Sequence, residues 1–153
     1  MSFLPWALMA AGSSLSGLLS DALVARGAAP TAVRKAVQTV AFLGPVPPLL
    51  LLAARGGALG AAGAVACMTA ALGLTSVGQF VTNMGEVAPR HAGRLFGLCN
   101  TFGSAAGIAG VAAAGVLVER TGGFAAVFLI TAALNVLGTA AWWAGCTSER
   151  QFD

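Results

Sequence analysis

Charged side chains are scarce in this sequence. Lysine, arginine, aspartate and glutamate together make up 8% of the residues, whereas 58% of the residues are hydrophobic. A soluble domain usually carries about 25% charged residues, which keep its surface hydrated. So few charges could not cover a surface in water, so a soluble globular domain is excluded. The composition predicts a membrane protein whose surroundings are the lipid bilayer.

Residues that bind metals or carry out catalysis are equally scarce. There is one histidine, and the cysteines, Cys67, Cys99 and Cys146, fit neither a metal motif nor a disulfide framework. No nucleophile elbow, zinc-protease helix or phosphate-binding glycine loop is present. The net charge of +3 is not clustered as a nucleic-acid surface would require. We therefore predict no enzyme, no catalytic site, no metal, no cofactor and no nucleic-acid partner.

Long uncharged runs separate the few charges. Crossing a bilayer takes about 20 mostly apolar residues, and this length allows five such crossings joined by short loops. The sequence therefore predicts an all-α membrane protein with five transmembrane helices and a short tail. The helices are predicted near 3–21, 34–54, 59–82, 94–118 and 124–146, and the tail at 147–153.

Basic residues are distributed unevenly between the two sides of the predicted bundle. Six of them fall in the 21–35 loop, the 83–94 loop and the tail, against Arg55 and Arg120 on the other side. Because positive charge favours the cytoplasmic side, the C-terminus is predicted to face the cytoplasm-like side and the N-terminus the opposite one. Residues 3–20 lack the basic start and cleavage pattern of a signal peptide. We expect the chain to begin inside a longer architecture.

The first loop on the basic side carries a candidate latch. Gly17 would let two helices approach, and Asp21 follows it at the helix end. Asp21 could accept hydrogen bonds from a helix N-terminus or pair with Arg34 or Lys35, which would hold the helix ends together in one conformational state. The alternative is a plain solvated loop that obeys the positive-inside rule, and the residues alone leave both open.

The second loop on that side gathers Glu86, Arg90, His91 and Arg94. Its simplest interpretation is that it is one of the few segments outside lipid, and His91 is then an ordinary loop imidazole. Pro89 is expected in the first turn of the following helix, where its missing N–H is not needed.

Asn100 lies about two turns inside the fourth apolar run, where an unpaired amide is costly. It begins a stripe of small residues spaced three and four apart, which would pack on another helix or line a polar cavity. An interhelical hydrogen bond and a substrate contact are both open for Asn100. Serines of the first helix are expected to bond to their own helix backbone. The stripe comprises Asn100, Gly103, Gly107, Gly110 and Ala114.

Several segments in order resemble one family. The 17–35 loop is similar to a cytoplasmic loop motif of the major facilitator superfamily in its second-half copy. The ordered set resembles the anion–cation symporters of that superfamily, which include sodium–phosphate cotransporters, sialin and vesicular glutamate transporters. The APRHAG and GLCNTFG motifs are most similar to those of the plant plastid phosphate and anion transporters. The segments are LPWALMA at 4–10, VRKAVQTVAFLGP at 33–45, NMGEVAPRHAG at 83–93 and GLCNTFGSAAGIAGV at 97–111.

The resemblance implies a twelve-helix transporter of which this chain holds about helices eight to twelve, the C-terminal portion. It implies alternating-access transport of phosphate or an organic anion, with Na⁺ or H⁺ as coupling ion, in a plastid membrane. Asn100 and Thr101 correspond to the family's Ser-Asn-Thr position, where Cys99 replaces the serine. The residues that match the family's second loop motif are Asn83, Glu86, Pro89, Arg90 and Gly93.

The transporter half that precedes these helices in the family is the implied partner, and alternating access needs both halves around one site. We therefore expect this chain alone to be inactive. The alternative hypothesis is a small five-helix membrane protein that binds or regulates a full transporter. A membrane-embedded enzyme would need acidic residues near the bilayer centre, which the sequence lacks.

Overall fold

Helices make up almost the whole structure. The computed structural model describes residues 3–55, 57–78 and 80–149. No strand is present in these residues. Their helices are α1 (Phe3–Ala25), α2 (Pro30–Leu43), α3 (Val46–Arg55), α4 (Gly60–Thr75), α5 (Phe80–Val87), α6 (Ala92–Thr121) and α7 (Ala125–Gly145).

The helices form five segments in the described residues that are long and apolar enough to cross a membrane. The prediction of an all-α membrane protein is thereby confirmed. The second segment begins four residues earlier than 34, because Pro30 starts α2 with the fixed φ that favours a first helical turn. The third continues to Val87, beyond its predicted end near 82. The five segments are Trp6–Ala25, Pro30–Arg55, Gly60–Val87, Ala92–Thr121 and Ala125–Gly145.

Two of the five segments are broken, which the sequence analysis did not predict. The second is interrupted between α2 and α3, where Pro45, Pro47 and Pro48 supply no backbone N–H to the helical hydrogen bonds. The third is interrupted between Thr75 and Phe80. A break inside lipid leaves backbone groups that need partners from elsewhere in the protein.

Ser16 supplies such a partner at the second break. Its hydroxyl donates a 2.6 Å hydrogen bond to the carbonyl oxygen of Val77, and the residue is buried. The serines of the first helix were expected to bond to their own backbone, and the structure adds this contact from Ser16 to a carbonyl that the broken third segment presents to α1. The contact ties the middle of α1 to the break.

Two helix pairs form the tightest packing, α1 with α4 and α3 with α7. A small apolar core is formed by Leu49, Ala71 and Ala132, with Val46 and Phe128 packed against it. The long helix α6 makes its main contacts with the neighbouring helices α5 and α7, and none of its described residues is buried. The bundle is therefore packed on one side and open along α6.

Gly12 is the point at which α1 and α4 approach most closely. A Cβ atom at this position would lie 2.8 Å from the Ser76 hydroxyl and 3.1 Å from the Gly73 carbonyl oxygen. Gly17, predicted to permit a close approach, has nothing within 4 Å of such an atom among the described residues. The close approach therefore lies about one turn and a half closer to the N-terminus of α1 than Gly17.

We expect Gly12→Ala to lower the thermal unfolding midpoint of the chain in detergent. Overpacking a tight contact costs about 1–3 kcal/mol, which corresponds to roughly 2–10 °C for a chain of this size. Gly107→Ala is the matched control, because nothing lies within 4 Å of a Cβ there and alanine favours a helix. Equal midpoints for the two variants, measured by circular dichroism, would contradict the packing.

Candidate functional site

Contacts between distant segments concentrate at one end of the bundle, which we call the charged end. It is the end at which α1, α5 and α7 finish and α2 begins. The residues that meet there are separated by 52 to 117 positions in the sequence. The charged end therefore joins four helices through polar groups.

An ion pair between Arg34 and Glu86 is the centre of the charged end. The Arg34 Nη2 and Nε atoms lie 2.6 and 3.1 Å from Glu86 Oε1, and Nε lies 3.3 Å from Oε2. The Arg34 side chain is 5% exposed and that of Glu86 is 27% exposed. Such a forked, largely buried pair fixes both the distance and the orientation of two helices. It joins the first turns of α2 to the last turn of α5.

Asp21 is a minor and exposed partner of Arg34. Its carboxylate lies 3.9 Å from Arg34 Nη2, and its side chain is 77% exposed. Exposed pairs at this distance contribute little to stability. The predicted pair of Asp21 with Arg34 is therefore present, but Glu86 is the principal partner of Arg34. Glu86 was predicted in a loop, and the structure places it in α5.

Lys35 contacts α7 rather than Asp21. Its ammonium group donates a 3.0 Å hydrogen bond to the Trp143 carbonyl oxygen and lies 5.5 Å from the centroid of that indole ring. The Trp143 indole N–H donates to the Thr39 hydroxyl at 2.7 Å. A cation near the last carbonyls of a helix is favourable. Sequence analysis missed Trp143, whose only signal is an aromatic residue at the end of an apolar run.

The segment after α7, Cys146–Glu149, which we call the strap, crosses the charged end. The Asn83 amide donates to the Thr147 carbonyl oxygen at 2.8 Å and to the Ser148 hydroxyl at 3.3 Å. The Ser148 backbone N–H donates to the Thr31 hydroxyl at 3.0 Å. Asn83 was predicted in a loop but lies in α5. Arg150 and the rest of the predicted tail lie outside the described residues.

Burial of the strap changes the acidity of the Cys146 thiol. Removal from water raises the pKa of Cys146 above its ordinary value; the Lys35 ammonium opposes the shift and the Glu86 carboxylate adds to it. Because the thiolate is the reactive form, this cysteine will react slowly near neutral pH while the strap is in place.

The remaining residues of the second loop point to solvent. Pro89 lies in the turn between α5 and α6 rather than in the first turn of α6, and Arg90 is exposed beside it. His91 precedes α6 without capping it through its side chain. Gly93 has open space around it in the described part. No ion pair involves Arg90, His91 or Arg94 within the described residues.

Asn100 and Thr101 are both exposed on α6. The Thr101 hydroxyl donates to the Gly97 carbonyl oxygen of its own helix at 2.8 Å. The interhelical hydrogen bond considered for Asn100 is not formed within the part of the chain that the structure describes. Farther along the stripe, Gly107, Gly110 and Ala114 line a cavity of 440 Å³ between α6 and α7. The stripe therefore faces space and not a packed helix.

Metal-binding residues are dispersed. No group of three histidine, cysteine, aspartate or glutamate residues that could hold a metal ion occurs among residues 3–55, 57–78 and 80–149. Cys67, Cys99 and Cys146 are all free thiols.

Comparison with known proteins gives relatives along nearly the whole chain, although no family model matches. The rice protein named probable anion transporter 3, chloroplastic, is 40% identical over 99% of this chain and 29% of its own length. The Arabidopsis thaliana ascorbate transporter, chloroplastic, is 38% identical over 98% and 27%. The Arabidopsis sodium-dependent phosphate transport protein 1, chloroplastic, is 37% identical over 100% and 30%. The chain spans less than a third of the length of these relatives.

Proposed function

This chain is a homologue of one segment of the plastid anion and phosphate transporters, and we propose that it forms about helices eight to twelve of a twelve-helix transporter of the major facilitator type. The whole protein would carry inorganic phosphate or an organic anion across a plastid membrane by alternating access. The remaining helices are the partner that completes the substrate path. The chain without them would not transport.

The exposure of α6 is the observation that carries this proposal. A helix of 30 residues that is long and apolar enough to span a membrane has no buried residue, yet carries an amide and a row of glycines. Exposing an unpaired amide to lipid costs free energy, and glycine has no side chain with which to make apolar contacts with lipid. Such a face suits a polar path or the close packing of further helices.

Asn100 is the proposed substrate contact on that face, with Thr101 beside it. An amide N–H₂ group can donate to an anion oxygen and is neutral, so it holds the anion without trapping it. The Thr101 hydroxyl retains acceptor capacity while it donates to Gly97. The relatives are named for phosphate, ascorbate and unspecified anions, and one is named as sodium-dependent. These names support an anionic substrate, and the sodium-dependent relative supports Na⁺ as the coupling ion, with H⁺ as the alternative.

The charged end is the proposed latch. Alternating access rocks two halves of a transporter and opens one end of the helices at a time. The Arg34–Glu86 pair joins α2 to α5 in the conformation described, with Asp21 at its edge and Lys35 bound to α7. Breaking and re-forming this pair would then accompany each cycle. This proposed role keeps Asp21, Arg34 and Lys35 and adds Glu86 as an acceptor, whereas the predicted part of Gly17 has no close contact to support it in this conformation.

Two measurements test the proposal. An immunoblot of native membranes with an antibody against residues 147–153 should show a band far above 15.1 kDa. Proteoliposomes with the natural-length protein should take up labelled phosphate or ascorbate saturably, and more rapidly with an inward Na⁺ or H⁺ gradient. Liposomes with the 153-residue chain alone should show no saturable uptake.

Either of two results would overturn it. Saturable uptake by the short chain would show that no further helices are needed. A band only at 15.1 kDa would indicate a five-helix protein, and the interaction of such a protein with a complete transporter would become the function to test.

A further inference from the structure

We propose that the strap is a positioning element: docked on Asn83 and Thr31, it holds α5 so that Glu86 meets Arg34. The proposal rests on the latch role given above, but its structural part concerns contacts that can be measured without transport. Asn83, Thr31 and the strap residues Thr147 and Ser148 would be positioning residues and not substrate contacts.

The spacing of the docking residues carries the argument. Asn83 and Glu86 are three residues apart on α5, and Thr31 and Arg34 are three residues apart on α2. Residues three apart lie on the same face of a helix, one turn from each other. The strap therefore connects the same two helices as the ion pair, through residues one turn before Glu86 on α5 and one turn before Arg34 on α2. Because α5 ends and α2 begins at the charged end, these two shifts run in opposite directions relative to that end. Two links at different positions fix the rotation of α5 against α2, which a single pair does not.

The strap is itself anchored at its start. The Lys35 hydrogen bond to the Trp143 carbonyl and the Trp143 hydrogen bond to Thr39 hold the end of α7 on α2. The Cys146 backbone N–H continues the helical pattern by donating to the Trp142 carbonyl oxygen at 2.8 Å. Docking of Thr147 and Ser148 thus transmits the position of α7 to α5.

Helix α5 is the element whose orientation depends on these contacts. It has eight residues and follows the break after α4, so it is not continuous with a longer helix. Its first residue, Phe80, packs against Trp142 with ring centroids 6.3 Å apart. Asn83 in the middle of α5 is bound to the strap, and Glu86 near its end is paired with Arg34 of α2. Without the strap, that end would be free to rotate Glu86 away from Arg34.

Cys146 is a built-in reporter of strap docking. In a chain with Cys67→Ala and Cys99→Ala, labelling by a maleimide reports this thiol alone. Thr31→Val removes one docking hydrogen bond and should speed labelling near neutral pH roughly 3- to 10-fold. Asn83→Ala removes two hydrogen bonds to the strap and should speed labelling at least as much. Undocking also exposes the thiol, so its pKa falls toward the ordinary value and the fraction of thiolate rises.

Matched variants separate docking from general damage. Thr31→Ser keeps the hydroxyl acceptor and should keep labelling slow. Thr82→Ala changes an exposed neighbour of Asn83 on α5 and should leave labelling unchanged. Unchanged labelling in both Asn83→Ala and Thr31→Val would overturn the docking of the strap, provided that the proteins remain monodisperse.

A double-variant cycle tests positioning itself. If the strap acts through the ion pair, Asn83→Ala should lower the unfolding midpoint in the original chain but have at most half that effect when Glu86→Gln is already present. Full additivity would overturn the positioning role even if labelling shows docking. Both assays use the chain in detergent, so a failure of the uptake experiment would refute the transport proposal and leave this result standing.

Discussion

Replacing Glu86 with glutamine will lower the thermal unfolding midpoint of the chain by roughly 6–12 °C, because it removes the carboxylate charge that is paired with a buried guanidinium, at a cost of about 3 kcal/mol. The Arg34 side chain is 5% exposed, and its other carboxylate contact is Asp21 at 3.9 Å. Water cannot easily reach Arg34 to replace the lost pair. Differential scanning fluorimetry of the purified chain in detergent measures the midpoint.

Asp21→Asn is the matched control for that experiment. It removes a carboxylate that is 77% exposed, so its cost should stay below about 1 kcal/mol. The double variant Arg34→Met with Glu86→Met removes both charges and should recover most of the stability lost in Glu86→Gln. If Asp21→Asn and Glu86→Gln lower the midpoint equally, Glu86 is not the principal partner of Arg34.

In the natural-length protein, Asn100→Ala should reduce uptake efficiency roughly 10- to 100-fold, which corresponds to the loss of one hydrogen bond to a charged ligand. Its abundance should stay unchanged, since the Asn100 side chain is exposed and the described part of the chain gives it no hydrogen bond to lose. Initial uptake rates over a range of anion concentrations, divided by the amount of transporter on an immunoblot, measure the effect.

Asn135→Ala gives the comparison for Asn100. The Asn135 amide donates to the Thr131 carbonyl oxygen of its own helix at 2.9 Å, so it also lies in an apolar helix but has a local partner. We expect near-normal uptake from this variant. An equal fall in abundance and uptake for Asn100→Ala would assign Asn100 to packing between helices and remove it from the substrate path.

The membrane segments could be predicted from the sequence because scarce charge and long apolar runs are the properties that allow a helix to cross lipid. The ends of the helices and the breaks within them were less predictable. Residues 83–87 look like a loop because a carboxylate and an amide occur there, but both side chains find partners across the charged end and the helix continues. The break after Thr75 was missed because its apolar residues fit a continuous helix equally well.

The latch was only partly visible for a related reason. Asp21 and Arg34 are close in sequence, so local spacing suggested their pairing, whereas Glu86 lies 52 residues from Arg34 and its approach depends on how α5 packs. Gly17 and Gly12 look equivalent in sequence, and only the crossing of α1 with α4 distinguishes them. Trp143 and the strap follow from an apolar run into a short polar segment, and such a segment looks like an ordinary helix end from which no role could be inferred.

The Arg34–Glu86 separation also has a consequence during biosynthesis. At about 5–20 residues per second, the ribosome needs roughly 3–10 s to make the 52 residues between them. During that time the second membrane segment is already emerging with an arginine in its first turns, and the exposed Asp21 is the carboxylate already synthesised near it. The arginine will remain among the lipid phosphates until the third segment arrives. Insertion of these two segments is therefore a joint event, in which the later helix completes the burial of the earlier one.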